Sequence, residues 1–215
     1  MAEYAALMES EGRIHIVELV DEVIKHKGLG VLNTGALLAN IDVGDDVLIG
    51  QKYLTRMPTL LPELITGMAR RAQTISAKDA GVFIARLGIG VGDTVLEAGL
   101  GSGGLSLHLA KVLGNSGHLV TAEPRNEHAE VGLLNLTRAN ECFTEFPKHT
   151  HLEGMVEEVV PDLEFDAIIL DMPVHSPAII ACAPKLNFGG RIACYAPTTS
   201  QLEKCWKSCE EAGLI

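Results

Sequence analysis

A glycine-rich stretch at residues 93–104 constrains the fold of this chain more than any other feature. It reads DTVLEAGLGSGG, a short apolar run that contains the carboxylate of Glu97 and leads into alternating glycines. An apolar run of this length between turn residues is typical of a buried parallel strand. The glycines let the backbone turn tightly and approach a ligand closely. Helically spaced apolar residues follow from Leu105, and the amide groups at the start of that helix would face the ligand.

The glycine pattern by itself is compatible with two cofactors. Gly99, Gly101 and Gly104 satisfy the dinucleotide fingerprint, with Glu123 as the acidic residue after the next strand. Glu97 favours a different ligand, because a carboxylate beside the turn would repel a pyrophosphate and would attract a cofactor that carries an ammonium and a sulfonium. We therefore predict S-adenosylmethionine, with NAD as the alternative and a ligand-free turn as the bland interpretation.

Strands and helices alternate from this stretch to the end of the sequence. Short strands between longer helices predict an α/β fold with a doubly wound, mostly parallel sheet of the Rossmann-like type. Ligands of such sheets bind beyond the carboxyl ends of the strands. The predicted strands are 93–97, 118–123, about 150–155, 165–171 and 189–196, and the predicted helices are 77–87, 127–140, 177–186 and 200–212.

The N-terminal part has a different pattern. Short apolar runs alternate with turn residues, which predicts a small β-rich domain. We place this domain at 1–58 and the cofactor-binding domain at 73–215. Between them, residues 59–72 form a helical linker that contains a predicted helix over 63–71.

Three acidic residues stand at the ends of predicted strands, namely Glu97, Glu123 and Asp171. They should line one crevice, in which Glu123 can accept hydrogen bonds from both ribose hydroxyls of an adenosine. The turn Asp171-Met172-Pro173 is similar to one by which methylases of amino and ring nitrogens hold their target base. There a carboxylate can bind an exocyclic amine and stabilise the positive charge that develops on the ring. The alternative for Asp171 is a helix N-cap.

Composition limits the other possibilities. No apolar run approaches the ~20 residues of a membrane span, and five cysteines without a CxxC pair predict a reducing compartment, the cytoplasm. Cys205 and Cys209 are interpreted as packing residues, so we expect no metal. The net charge of −11, with acidic residues in excess in both parts of the chain, argues against nonspecific binding of nucleic acid.

The glycine motif, Glu123, Asp171-Met172-Pro173 and the segment Gln73-Thr74-Ile75 occur in an order that resembles the archaeal type of tRNA (adenine-N1)-methyltransferases, a class I methyltransferase family. The resemblance implies methylation of N1 of a T-loop adenine in tRNA, adenine-58 and sometimes its neighbour, conversion of S-adenosylmethionine to S-adenosylhomocysteine, and a homotetramer. It implies Asp171 as the catalytic residue. The cofactor contacts, taken from the motif and the resemblance, are Gln73, Glu97, Gly99, Gly101, Ser102, Gly103, Gly104, Leu105, Glu123, His128 and Met155.

Three departures from the family pattern leave alternatives open. The usual adenine-contacting Asp near the third strand is absent, so Glu153 or the backbone of Met155 must replace it. Val174-His175-Ser176 stands where the family has an aromatic residue, and the sixth and seventh strands of the fold are not in this sequence. The alternatives are a methyltransferase for a small molecule or a protein, and a noncatalytic tRNA-binding subunit.

Overall fold

The computed structural model describes residues 3–214. The first two residues of the predicted N-terminal domain and the last residue of the predicted cofactor-binding domain therefore lie outside the described residues. The chain divides into two compact units, one formed by Met1–Ala69 with Asn135–Thr144 and the other by Arg70–Leu134 with Glu145–Ile215. In the first unit the side-chain amide of Asn135 exchanges hydrogen bonds of 3.0 and 2.8 Å with the backbone of Ala69.

The first unit is built on an antiparallel sheet with the strand order β2-β1-β6-β5, and β3 and β4 form a separate hairpin. Small and branched apolar side chains on its inner face, including Leu7, Val17 and Leu54, form a core of their own. The prediction of a small N-terminal β domain is confirmed. Its elements are β1 (Glu3–Glu9), β2 (Ile14–Leu19), β3 (Val23–His26), β4 (Gly30–Asn33), α1 (Thr34–Leu38), β5 (Asp46–Ile49), β6 (Lys52–Met57) and α2 (Leu61–Gly67).

The second unit is built on a five-stranded sheet. Its elements are α3 (Ala77–Leu87), β7 (Thr94–Ala98), α4 (Gly104–Leu113), β8 (His118–Glu123), α5 (Asn126–Cys142), which continues into the first unit, β9 (Lys148–Glu153), α6 (Val156–Val159), β10 (Phe165–Leu170), α7 (Ser176–Cys182), β11 (Leu186–Cys194) and α8 (Thr199–Glu211). All neighbouring strands are parallel, in the order β11-β10-β7-β8-β9. The predicted Rossmann-like fold is confirmed.

The strand order determines where a ligand can bind. From the central strand β7 the chain moves outward through β8 and β9, then returns to the other side of β7 for β10 and β11. The order therefore reverses beside β7, which is the topological switch point at which such sheets bind ligands. Apolar residues of β7, β8 and β10 are almost entirely buried and hold this edge of the sheet in place.

Several predicted boundaries differ from the structure. The helix expected at 63–71 is Leu61–Gly67, and the third strand lies at Lys148–Glu153. The helix expected at 177–186 ends at Cys182, where a 3₁₀ turn over 183–185 contains Pro184 and leads into β11, which starts at Leu186. The proline lacks an amide hydrogen, so the α-helical hydrogen-bond pattern cannot continue through it.

Candidate active site

The glycine turn after β7 is required by a close backbone approach. Gly99 has a φ of 94°, and a Cβ atom placed there would lie 1.9 Å from the carbonyl oxygen of Asp171. The backbone amide of Asp171 also donates a hydrogen bond of 2.8 Å to the carbonyl oxygen of Ala98. These contacts place the carboxyl end of β10 directly against the turn that follows β7. Only glycine fits at position 99.

The rest of the glycine motif anchors the turn to the preceding segment. The hydroxyl of Ser102 accepts hydrogen bonds of 3.0 Å from the backbone amides of Arg71 and Ala72. A Cβ atom on Gly104 would lie 2.7 Å from the Cβ atom of Thr74. Ser102 and Gly104 therefore pack against the loop that precedes α3, within the second unit.

A cavity of about 260 Å³ opens at the carboxyl ends of the strands on both sides of the switch point. It brings together four residues predicted from the sequence, Gly99, Glu123, Met155 and Asp171. Its wall is mainly apolar. The lining residues are Ala98, Gly99, Ala122, Glu123, Pro124, Arg125, Gly154, Met155, Val156, Asp171, Met172, Pro173 and Val174.

Glu123, at the end of β8, is a fully buried carboxylate with four N–H donors. Its Oε1 atom accepts from the backbone amide and the Nε atom of Arg125, at 3.1 and 2.8 Å. Its Oε2 atom accepts from the amide of Gly101 at 3.0 Å and from Nη2 of Arg125 at 3.2 Å. Burial raises the pKa of Glu123, but these hydrogen bonds outweigh burial and hold the pKa below its ordinary value. The group is therefore an anion at neutral pH.

Glu97, near the end of β7, is also buried, at 1% exposure, but has a different environment. Its Oε2 atom accepts a hydrogen bond of 2.5 Å from the hydroxyl of Ser106. Burial raises the pKa of Glu97 to about 8, the Ser106 hydrogen bond opposes the rise, and the charge of Asp171 adds to it. Glu97 does not line the cavity. The raised pKa favours the neutral acid at pH 7, so the attraction between a Glu97 carboxylate and a cationic cofactor that the sequence suggested is not found in this structure.

Asp171 follows β10 and faces the cavity. Burial raises the pKa of its carboxyl group, Arg125 lowers the pKa, and Glu123 raises it further. Among residues 3–214 no hydrogen bond to the carboxylate of Asp171 is found, in contrast to Glu97 and Glu123. A partly desolvated carboxylate with its acceptor positions open can bind a donor group of an incoming substrate.

The other predicted contacts are dispersed. Met155 lines the cavity whereas Glu153 does not, so of the two candidates for the adenine contact the structure places Met155 at the site. His128 is half-buried on α5, and its Nδ1 atom has no hydrogen-bond partner in the described part of the chain. Gln73 is exposed, and Leu105 is part of the core. The lining residues of the cavity do not include seven of the predicted contacts, namely Gln73, Gly101, Ser102, Gly103, Gly104, Leu105 and His128.

Sequence reasoning missed Arg125. This residue lies two positions after Glu123, a spacing that could have suggested a local ion pair at the strand end. Its guanidinium group holds Glu123, is 56% exposed and acts electrostatically on Asp171. Val174, which stands where the resembling family has an aromatic residue, lines the cavity, whereas His175 is buried away from solvent.

Comparison with known proteins is consistent with this geometry. Residues 53–215 match the family model described as tRNA methyltransferase complex GCD14 subunit. The chain belongs to this family. The resemblance identified from the sequence is thereby confirmed.

Curated relatives of the family carry related names. The tRNA (adenine(57)-N(1)/adenine(58)-N(1))-methyltransferase TrmI of Methanocaldococcus jannaschii is 31% identical over 186 residues, which cover 76% of this chain and 66% of the relative. The tRNA (adenine(58)-N(1))-methyltransferase TrmI of Thermus thermophilus is 27% identical over 209 residues, 95% of this chain and 79% of the relative. The chain spans only 40% of the catalytic subunit TRM61 from Cryptococcus neoformans, to which it is 28% identical over 74% of its own length.

Two solved structures share the fold. A SAM-dependent O-methyltransferase from Thermotoga maritima superimposes with a TM-score of 0.77 at 26% identity, over 97% of this chain and 77% of that chain. The tRNA (m1A58) methyltransferase TrmI of Aquifex aeolicus superimposes with a TM-score of 0.71 at 21% identity, over 97% and 80% of the two chains. At 21% identity, the similarity to the Aquifex aeolicus structure shows only that the two proteins share a fold. In the described range 3–214, no helix has the length and apolarity needed to cross a membrane.

Proposed function

We propose that this family member transfers a methyl group from S-adenosylmethionine to N1 of a T-loop adenine in tRNA, at adenine-58 or its neighbour. The single observation that carries this proposal is Asp171, which lines the cavity at the switch point and whose carboxylate has no hydrogen-bond partner among residues 3–214. The family model and the names of the archaeal and bacterial relatives support the choice of tRNA.

The lining residues fit S-adenosylmethionine, which supplies an electrophilic methyl group on a sulfonium when bound. The carboxylate of Glu123 provides two acceptor oxygens for ribose hydroxyls, and the exposed guanidinium of Arg125 can move aside to free them. Ala122, Met155 and Val156 form an apolar wall suited to an adenine ring. Of the remaining predicted cofactor contacts, Gly99 also lines the cavity, while the others stay predictions.

Asp171 would act on the base. An ionised Asp171 accepts a hydrogen bond from the exocyclic amine of adenine, which makes the ring nitrogen more electron-rich. The same carboxylate stabilises the positive charge that builds up on the ring during methyl transfer. Because methyl transfer is one in-line displacement, the main tasks of the protein are positioning and electrostatic stabilisation.

The direct test is to incubate the chain with methyl-labelled S-adenosylmethionine and an unmodified tRNA transcript, then digest the RNA and identify the labelled nucleoside by mass spectrometry. We expect 1-methyladenosine, and we expect its loss in a transcript with guanine at adenine-58 and at the neighbouring position. Label on another nucleoside would contradict the proposed position. Binding of tRNA without any transfer would indicate the noncatalytic subunit instead.

The cofactor is tested separately by thermal unfolding. S-adenosylmethionine or S-adenosylhomocysteine should raise the melting temperature, and NAD should not. A ligand present at ~100 times its Kd adds about 2.7 kcal/mol to the unfolding free energy. Stabilisation by NAD alone would contradict the choice of S-adenosylmethionine over a nicotinamide cofactor.

A second candidate is a methyltransferase for a protein or a small molecule. The net charge of −11 and the likeness to an O-methyltransferase favour it. Incubating labelled cofactor with a ribonuclease-treated extract distinguishes the two functions. If the second candidate is right, label enters protein or small molecules in the extract, and tRNA transcripts stay unlabelled in a separate reaction. The homotetramer and the cytoplasmic location stay predictions, and sedimentation equilibrium measures the first.

A further inference from the structure

A cluster of thiols and one imidazole lies in the second unit, beside the turn that carries Asp171. The sulfur atoms of Cys194 and Cys205 and a ring nitrogen of His175 all lie within 4.8 Å of one another. Cys194 ends β11, Cys205 is on α8, and His175 directly precedes α7. Cys209 lies one helical turn after Cys205 on the same helix and is half-buried.

His175, a member of this cluster, has a ring nitrogen without a hydrogen-bond partner among the described residues. The residue is only 4% exposed, and that nitrogen, Nε2, is buried. A histidine that binds a metal offers a ring nitrogen free of other partners to the ion. A polar atom left unpaired in a dry site requires a partner.

The thiols do not have the character of a redox pair. Cys205 is 5% exposed and Cys194 is half-buried, and both pack among apolar side chains. Reactive and redox-active cysteines have lowered pKa values and accessible sulfur atoms. A metal ion would instead stabilise these sulfurs as thiolates and release their protons when it binds.

We propose that His175, Cys194 and Cys205 bind a structural Zn²⁺ ion, with Cys209, one helical turn after Cys205, as the candidate for the fourth ligand. Zn–S and Zn–N bonds of about 2.3 and 2.0–2.1 Å in a tetrahedral site require ligand atoms roughly 3.5–3.8 Å apart. The three ligand atoms lie within 4.8 Å of one another, so small side-chain movements would bring them to that spacing. A set of three sulfurs and one nitrogen selects zinc over magnesium, calcium or manganese, which prefer oxygen ligands. This proposal revises the sequence-based expectation of no metal, in which Cys205 and Cys209 were packing residues.

The ion would have a defined structural effect. His175 lies four residues after Asp171, so a zinc ion would fix the turn Asp171-Met172-Pro173 to the end of β11 and to α8. It is a positioning device and takes no part in methyl transfer. The site rests only on the geometry of the second unit and does not depend on the proposed substrate.

The test begins with the wild-type chain purified under reducing conditions without chelator. Mass spectrometry of metals should find one zinc ion per chain. Replacement by Co²⁺ should give the visible absorption of a tetrahedral ion together with thiolate-to-cobalt charge-transfer bands. A folded wild-type chain that binds neither ion overturns the proposal, and so does a Cys194–Cys205 disulfide in mass spectra of the intact protein.

Variants assign the ligands. Cys194→Ser and Cys205→Ser should lower the metal content from one ion per chain to background and abolish the charge-transfer bands. Cys142→Ser is the matched control, because Cys142 belongs to the first unit and lies outside the cluster. Circular dichroism checks that each variant folds. If Cys205→Ser does not fold, the test rests on Cys194→Ser, because Cys194 is less buried than Cys205. Retention of zinc in a folded Cys194→Ser variant would overturn the assignment.

Discussion

The carboxyl ends of β7 and β8 carry two glutamates that look alike in sequence and differ in charge. Both Glu97 and Glu123 are buried, at 1% and 0% exposure, in neighbouring strands of one sheet. The pKa of Glu97 is raised to about 8, whereas the pKa of Glu123 is lowered. Burial raises the pKa of both carboxyl groups, so the opposite directions of the two shifts require a further cause.

The difference lies in the donors. Glu97 has one hydroxyl donor, from Ser106, while Glu123 accepts from two backbone amides and from the guanidinium of Arg125. Donors that favour the charged form offset the desolvation of Glu123 but not that of Glu97. The two strand ends therefore have separate roles. Glu97, near the end of β7, is a buried neutral acid, whereas Glu123, at the end of β8, is an anion that lines the cavity.

The largest expected effect concerns the third strand-end carboxylate, Asp171. Asp171→Asn keeps the shape and one acceptor oxygen but removes the charge, so it should lower kcat by about 10²–10³ and change cofactor affinity little. Single-turnover methyl transfer and cofactor titration measure the two quantities. A wild-type rate on the true substrate would make Asp171 a helix cap or a binding residue.

The pKa shift of Glu97 predicts a pH-dependent stability. A folded pKa of about 8 against an ordinary value of 4.5 means that the folded state binds more protons between these values. Unfolding free energy should therefore fall as pH rises from about 4.5 to 8. Glu97→Gln removes this loss, so its stability relative to wild type should grow over that range by on the order of 4 kcal/mol.

Urea unfolding at several pH values measures this effect, with Glu130→Gln on exposed α5 surface as the control. If the stability difference between Glu97→Gln and wild type is constant from pH 4.5 to 8, Glu97 is ionised in the folded state. The contrast between the two strand ends would then be lost.

Glu123→Gln should weaken cofactor binding, because the charged acceptor of the ribose hydroxyls becomes a neutral amide. Hydrogen bonds to charged groups contribute about 1.5–3 kcal/mol, so we expect a roughly 10- to 100-fold increase in Kd. Isothermal titration with S-adenosylhomocysteine measures it. Glu153→Gln is the matched control, since Glu153 ends the next strand, β9, without lining the cavity. Equal Kd values for both variants would refute the ribose assignment.

The smallest expected effect concerns the packing part of the glycine motif. Ser102→Ala removes the acceptor of two backbone amides and should lower the unfolding free energy by about 1 kcal/mol or more. Ser200→Ala, at an exposed position of α8, should stay within about 0.5 kcal/mol of wild type. Denaturant unfolding compares them. Equal stability of the two variants would show that Ser102 has no anchoring role.

Local patterns in the sequence predicted the order of strands and helices, the need for glycine after β7, and the strand ends that carry Glu123 and Asp171. They did not predict Arg125, whose contact depends on the conformation of the turn after β8. They also did not predict the cluster of His175, Cys194 and Cys205. Those residues come from separate elements that only the packed sheet brings together, and no short spacing records such a contact.

The charge difference between the two strand ends is tested most directly by NMR of the chain labelled with ¹³C at the glutamate carboxyl carbons, with Glu97→Gln and Glu123→Gln used to assign the two signals. We predict that the Glu97 carboxyl titrates near pH 8, while the Glu123 carboxyl stays ionised down to below its ordinary pKa of 4.5. Titration of both carboxyls together near pH 4.5 would contradict this account.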